Sequence, residues 1–149
     1  MKKASTYLLI VSLGLLLACT YIEQRLSANK CKFTIASVDI RSFSLTGLTL
    51  VLRMDIINPN KIDVVIDKMD LDLYIKNTKT VNVIFNEVTI PSKKTKTVNA
   101  DVAIPYSIIG MSMIDEIKNN REIEYRLAGI AYMNTRLGVV KYPVTISMN

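Results

Sequence analysis

From Phe33 onward, apolar residues recur at every second position along the chain. In LTLVLRMDI, Leu48, Leu50, Leu52, Met54 and Ile56 share one parity, while Thr49, Arg53 and Asp55 share the other. Met69, Leu71, Leu73 and Ile75 alternate with Asp70, Asp72, Tyr74 and Lys76. Val98, Ala100, Val102 and Ile104 alternate with Thr97, Asn99 and Asp101, and Val140, Tyr142, Val144 and Ile146 close the chain in the same manner. Successive side chains of a strand leave opposite faces, so this period predicts half-buried antiparallel strands. Fully buried parallel strands would read as unbroken apolar runs. The pattern therefore predicts an all-β domain of two packed sheets, each with one wet face.

The alternation changes phase three times. Phe43 and Leu45 are odd, but the run from Leu48 is even, with Gly47 at the break. Ile62, Val64 and Ile66 are even and Met69 onward odd, with Asp67-Lys68 between; Val81, Val83 and Phe85 are odd, then Val88 and Ile90 even. A one-residue slip turns every later side chain to the wrong face unless a bulge or bend absorbs it. Either the strands are bent and bulged, or each slip is a loop between shorter strands.

Only PYSIIGMSMIDEIKNN carries helical spacing. Ile109, Met113 and Ile117 form one stripe, with Ile108, Met111 and Ile114 beside it. Ser107 is suited to cap the start and Asn119-Asn120 to end it, which predicts about three turns, weakened by Gly110. The methionines are expected to fill core, with a ligand mouth as the alternative.

The amino terminus breaks the pattern. Ala4 to Ala18 is a run of 15 uncharged residues behind Lys2 and Lys3. A membrane-spanning helix needs roughly 20 apolar residues, whereas the core of an export signal needs only about 7–15. Leu16-Leu17-Ala18-Cys19 resembles the lipobox of bacterial lipoproteins, in which a diacylglyceryl group joins the cysteine sulfur and the peptide is cut just before it. The resemblance makes residues 1–18 a lipoprotein signal peptide and Cys19 the lipidation site. Residues 19–32 become the lipidated end and a tether, and residues 33–149 the folded domain. Thr20 to Lys30 is polar enough to serve as that tether, with Tyr21, Ile22 and Leu26 able to form a turn on the membrane.

Cleavage would leave 149 − 18 = 131 residues and lower the formal charge from +6 to (19 − 2) − 13 = +4. That is a mildly basic surface, and no run interleaves Lys or Arg with aromatics as a nucleic-acid platform does. With Cys19 acylated, Cys31 has no partner in its own chain, and a half-buried apolar role is expected for it. The chain has no histidine, the commonest acid–base and metal-binding side chain. It has no Gly-rich phosphate loop, paired-cysteine metal site or Gly-x-Ser-x-Gly elbow. Asp63, Asp67, Asp70 and Asp72 hint at calcium, but an exposed charge ladder between Lys68 and Lys76 explains Asp70 and Asp72 without a metal. No catalytic residue, cofactor or metal is expected.

Further motifs then fall into order. MDIINPNKIDVVIDKMDLDLYI joins two strands through the turn Asn58-Pro59-Asn60. VTIPSKKTKTVNADVAIP carries an Ile-Pro hairpin, and REIEYRLAGIAYMNTRLGVVKYPVTISM a closing pair with a Leu-Gly turn and a strand bearing proline. Together, over about Phe33 to Met148, these resemble the water stress and hypersensitive response (WHy) family of late embryogenesis abundant domains. Two turns depart from it: Lys93-Lys94 stand where a small residue is usual, and Asn77-Thr78 replace Asn-Gly. The resemblance implies an immunoglobulin- or fibronectin III-like β-sandwich of about seven strands with one short α-helix. It brings no catalytic residue and an association with desiccation and other stress.

The expected protein is therefore a non-enzymatic lipoprotein, extracytoplasmic and held to the cell membrane by its acyl chains, and protective or organising in the envelope. Thr20 after the acylated cysteine lacks the Asp that favours inner-membrane retention, which leans towards an outer membrane where the cell has one. The alternative is a binding subunit that takes an envelope protein or apolar ligand on a strand edge or helix-side groove. The SKKTK turn is expected to be solvated, with contact to anionic headgroups as the other reading.

Overall fold

The computed structural model describes residues 23, 26–119, 123–135 and 138–148. After a 3-10 turn, Ser27–Lys30, come β1 (Lys32–Phe43), β2 (Gly47–Ile57), β3 (Val64–Ile66), β4 (Lys68–Ile75), β5 (Thr78–Phe85), β6 (Val88–Ile90) and β7 (Thr95–Pro105). Helix α1 (Met111–Lys118) follows, then β8 (Tyr125–Thr135) and β9 (Gly138–Met148). All described pairings are antiparallel, in three sheets ordered β1-β2-β7, β3-β6 and β5-β4-β8-β9. Seven of the nine strands are long; β3 and β6 have three residues each.

The larger two sheets pack face to face. From β2 the core takes Leu48, Leu50, Leu52, Met54 and Ile56, and from β4 Met69, Leu71, Leu73 and Ile75. Leu127, Ala131 and Met133 of β8 and Val144 and Ile146 of β9 complete it. The predicted faces hold throughout these strands.

The phase slips resolve as breaks between strands. Ser44 to Gly47 turns β1 into β2, with the Ser44 amide donating to the Gly47 carbonyl at 2.8 Å. Only Asp67 separates β3 from β4, and only Asn86-Glu87 separates β5 from β6. These two breaks lie on partnered strands, since β3 pairs with β6. Both chains leave the large sheet together and form a small ladder that closes one end. True bulges sit elsewhere: in β1 between Ile35 and Ser37 and between Ile40 and Ser42, and opposite Leu73-Tyr74. At the last of these, Thr80 is the extra residue, and its buried hydroxyl donates to the Leu73 carbonyl at 2.8 Å.

Three local expectations are corrected. The helix has eight residues and begins at Met111, capped by Gly110 without a side-chain bond. The chain before it turns at Pro105–Ile108, where the Ile108 amide donates to the Pro105 carbonyl, so Ser107 caps nothing. Asn119 does end it, its side-chain amide donating to the Asp115 carbonyl at 2.7 Å. The β4–β5 hairpin turns on Lys76-Asn77, with φ of 48° and 65°, one residue earlier than read. Two positive φ values give the type I′ twist that suits a two-residue hairpin, and Asn tolerates that region better than most residues. Finally, the ordered fold starts before Phe33: Ala28 and Cys31 belong to the core.

Candidate functional site

The chain has no histidine, and the clefts among the described residues are shallow and open, so the candidate sites are surfaces, distinguished by their position relative to the amino terminus. β2 runs towards Asn58, β4 and β7 start near it, and β1 begins beside it, with Lys32 and Thr95 both paired to Ile57. This end receives the amino-terminal segment expected to be the tether, and is named the tether end after it. The opposite, far end carries the Ser44–Gly47 turn, the Lys76-Asn77 turn and α1.

Asn58 organises the tether end. It is fully buried, and its side-chain amide donates to the carbonyls of Ile62 (2.9 Å), Ile90 (3.0 Å) and Pro91 (3.1 Å). Its carbonyl oxygen accepts from the Asn60 backbone amide at 2.9 Å and side-chain amide at 2.8 Å. The Asn60 side chain also donates to the Ser27 carbonyl at 3.0 Å, which fixes the amino-terminal turn to the domain. Asn-Pro-Asn is thus more than a turn: it ties four segments of loop whose backbone groups would otherwise be buried unpaired. Lys93, at φ 57°, sits in the Pro91–Lys94 turn, and its ammonium donates to the Pro59 carbonyl.

The remaining candidate residues do not converge. Cys19 lies outside the described residues. Cys31 is buried, and loss of solvent pushes its thiol up to about 11, which keeps it protonated and unreactive. Asp63 accepts the Ser92 amide at 2.8 Å and Asp67 the Asn134 amide at 2.6 Å. Asp70 and Asp72 share Asn82, at 2.7 and 3.2 Å, on the outer face of β4. The Asn82 hydrogen bond, then Lys68, hold the Asp70 carboxyl below the usual range; Lys79, then Asn82, do the same for Asp72. The four carboxylates are dispersed over two loops and a sheet face. Among the described residues no group of three or more His, Cys, Asp or Glu could hold a metal ion.

Charge is distributed unevenly. Arg41 pairs with Asp101, Arg53 with Asp39, Lys68 with Asp70, Lys76 with Glu116 and Lys79 with Asp72. Lys118 lies 5.0 Å from the Phe43 ring centre, Arg126 4.0 Å from Tyr74 and Lys141 5.8 Å from Tyr132. The described cations with neither a carboxylate nor a ring are Lys30, Lys32, Lys61, Lys93, Lys94 and Lys96. All six stand at the tether end. The Lys93-Lys94 doublet was visible in the sequence; its gathering with Lys30 and Lys61 depends on pairings far apart in the chain.

At the far end the surface is apolar. Leu45 is 100% exposed, Met111 76%, Phe43 45% and Ile108 41%. The Tyr106 hydroxyl donates to the Ser44 carbonyl at 3.1 Å and its amide to the Thr46 carbonyl at 3.0 Å, so the segment leading to α1 lies against the hairpin. Met113 packs partly on the core, whereas Met111 faces solvent. A shallow cleft of about 300 Å³ opens beside the hairpin, between Ser44–Thr49 and Ala103–Pro105. A second, of about 340 Å³, lies between the ends of β5 and β7, lined by Ile84, Glu87, Lys96 and Val98.

Two antiparallel sheets with one short helix across an end define a β-sandwich. The family model described as late embryogenesis abundant protein matches residues 53–148, and the chain belongs to that family. A search of curated protein sequences found no match. Among solved structures, an Arabidopsis thaliana protein shares the fold with a TM-score of 0.59 at 14% identity, covering 78% of each chain. A late embryogenesis abundant protein does so with a TM-score of 0.53 at 18% identity, covering 99% of this chain and 86% of its own. At such identities the likeness carries the fold alone.

Proposed function

We propose that this late embryogenesis abundant domain is a non-enzymatic lipoprotein of the cell envelope, anchored through Cys19, that protects or organises envelope components under stress. The observation that carries the reading is the junction Leu16-Leu17-Ala18-Cys19, seven residues ahead of a turn packed on the domain. Two or three acyl chains hold a protein to a bilayer stably, where one does so only marginally. Replacement of Cys19 by Ala should abolish palmitate labelling and leave an unprocessed precursor. Equal labelling of the variant would refute the anchor, and separated membrane fractions would place the wild type in the inner or outer membrane.

A second reading, a binding subunit, is favoured by the exposed apolar tip around Leu45 and Met111, since a few apolar anchors usually dominate an interface. General protection should extend to several unrelated enzymes through drying or freezing, at comparable mass ratios. A binding subunit should instead retain one partner from native envelopes and lose it when the tip is altered.

A further inference from the structure

We infer that the lysine-rich tether end is a docking face for anionic lipid headgroups, which holds the sandwich upright on the membrane and turns the apolar tip away from it. The inference rests on the anchor reading for its geometry. Eight of the fourteen described Lys and Arg side chains reach a carboxylate or an aromatic ring. Lys30, Lys32, Lys61, Lys93, Lys94 and Lys96 do not, and all are exposed. The carboxylates at this end are Asp55, which accepts from the Thr97 hydroxyl, Asp63 and Asp67, which accept backbone amides, and Glu87, so six ammonium groups outnumber four carboxylates and the face keeps an excess of positive charge.

The same end receives the chain from the anchor. The Asn60 bond to the Ser27 carbonyl and the burial of Ala28 place the last fixed point of the tether beside the lysines. Only residues 20–26 remain between Cys19 and that point, a reach of at most about 25 Å. A charged face held so close to a bilayer spends much of its time within a Debye length of the headgroups, about 8 Å at physiological salt. Anionic phosphate groups are thus the nearest and most concentrated counter-charges for six ammonium groups that have no carboxylate of their own, Lys93 being bonded only to the Pro59 carbonyl. Lysine on a flexible stem suits such loose, point-charge contact, because it demands no fixed geometry.

The test uses the full lipidated protein reconstituted into neutral phosphatidylcholine vesicles and into vesicles with added phosphatidylglycerol. Hydrogen exchange is followed at 58–63 and 91–95, with the far-end turn at 44–47 as reference. On anionic vesicles at low salt, exchange at the lysine loops should slow about tenfold, return to the neutral-vesicle rate in high salt, and leave the reference turn unchanged. The triple variant Lys30→Gln/Lys61→Gln/Lys94→Gln should lose the slowing while keeping the wild-type melting temperature. Equal rates on both vesicle types, or slowing confined to the far end, would overturn the docking face. Slowing by soluble polyglutamate without any on anionic vesicles would overturn it in favour of an acidic polymer. Incorporation and palmitate labelling of the Cys19→Ala chain, read separately, report on the anchor itself.

Discussion

The two ends of the sandwich solve the problem of exposed loops in opposite ways. At the tether end one buried asparagine satisfies five bonds, and the outer surface is lysine without carboxylate partners. At the far end a serine turn is held by its own backbone, by the Ser44 hydroxyl and by Tyr106, and the outer surface is leucine, phenylalanine, isoleucine and methionine. The first is rigid inside and charged outside. The second has little to hold it beyond local bonds, and offers apolar area. A domain built this way has a direction, which its shared core, alike along its length, does not reveal.

That core sets the largest expected effect and the scale for the rest. Leu52 lies at the middle of β2 with no exposure, so Leu52→Asp places an unpaired charge between the sheets and should cost more than about 4 kcal/mol. Both ends should then melt together in a denaturant titration. Survival of either end alone would break the view of one cooperative sandwich. Arg53→Asp, on the outer face beside Asp39, should cost far less.

Next in size comes Asn58→Ala. Its removal leaves carbonyls of Ile62, Ile90 and Pro91 short of a donor in a dry site, and about 2–3 kcal/mol should be lost. The loss should be local first. Cys31, buried close by in sequence to the Ser27 clasp, should become reactive towards a thiol reagent in the folded variant while remaining inert in the wild type. At the far end, Gly47→Ala should cost about 1–3 kcal/mol, because an added Cβ would lie 2.5 Å from the Ile104 carbonyl oxygen. It should leave Cys31 protected. Equal thiol exposure in both variants would erase the distinction between the ends.

The outer face of β4 belongs to neither end, and acid should show it. Asp70 and Asp72 have carboxyls lowered from 3.8 by Asn82, Lys68 and Lys79. Their contribution is present above the unfolded value and lost as pH falls through the lowered folded value. Stability should therefore drop below about pH 4, and Asp70→Asn with Asp72→Asn should flatten that drop slightly, since exposed pairs contribute little. A drop of unchanged steepness would move the acid-sensitive groups elsewhere.

The strand faces were legible because a period of two survives in β2, β4, β7 and β9, where one side is always wet. The helix was legible only in part. Ile109 keeps helical spacing with Met113 and is buried, yet it precedes Gly110, whose extended ψ of 163° delays the helix to Met111. Asn58 read as a turn residue, because its five bonds reach loops up to 33 residues away that no local pattern records. The lysine face was hidden for the same reason. Lys30, Lys61 and Lys94 are neighbours only through the Asn60–Ser27 bond and the Asn58 amide on the Lys94 carbonyl.

The smallest effect on stability should come from Leu45→Ser, and it sharpens the comparison most. A side chain that is 100% exposed buries nothing in the monomer, so the substitution should leave the melting curve within about 0.5 kcal/mol of wild type. The Ser44 bonds that define the turn are made by backbone and by the Ser44 hydroxyl, and none depends on Leu45. Any functional loss in this variant therefore cannot come from unfolding. If the tip binds a partner, Leu45→Ser should release one co-purifying protein from native envelopes while membrane fractionation stays unchanged, and the triple lysine variant should do the reverse. If the whole polar surface protects by mass action, both variants should protect dried test enzymes as well as the wild type does. Loss of protection in Leu45→Ser without loss of a partner would mean that the apolar tip itself engages unfolding enzymes, and the two ends would then divide membrane contact from client contact.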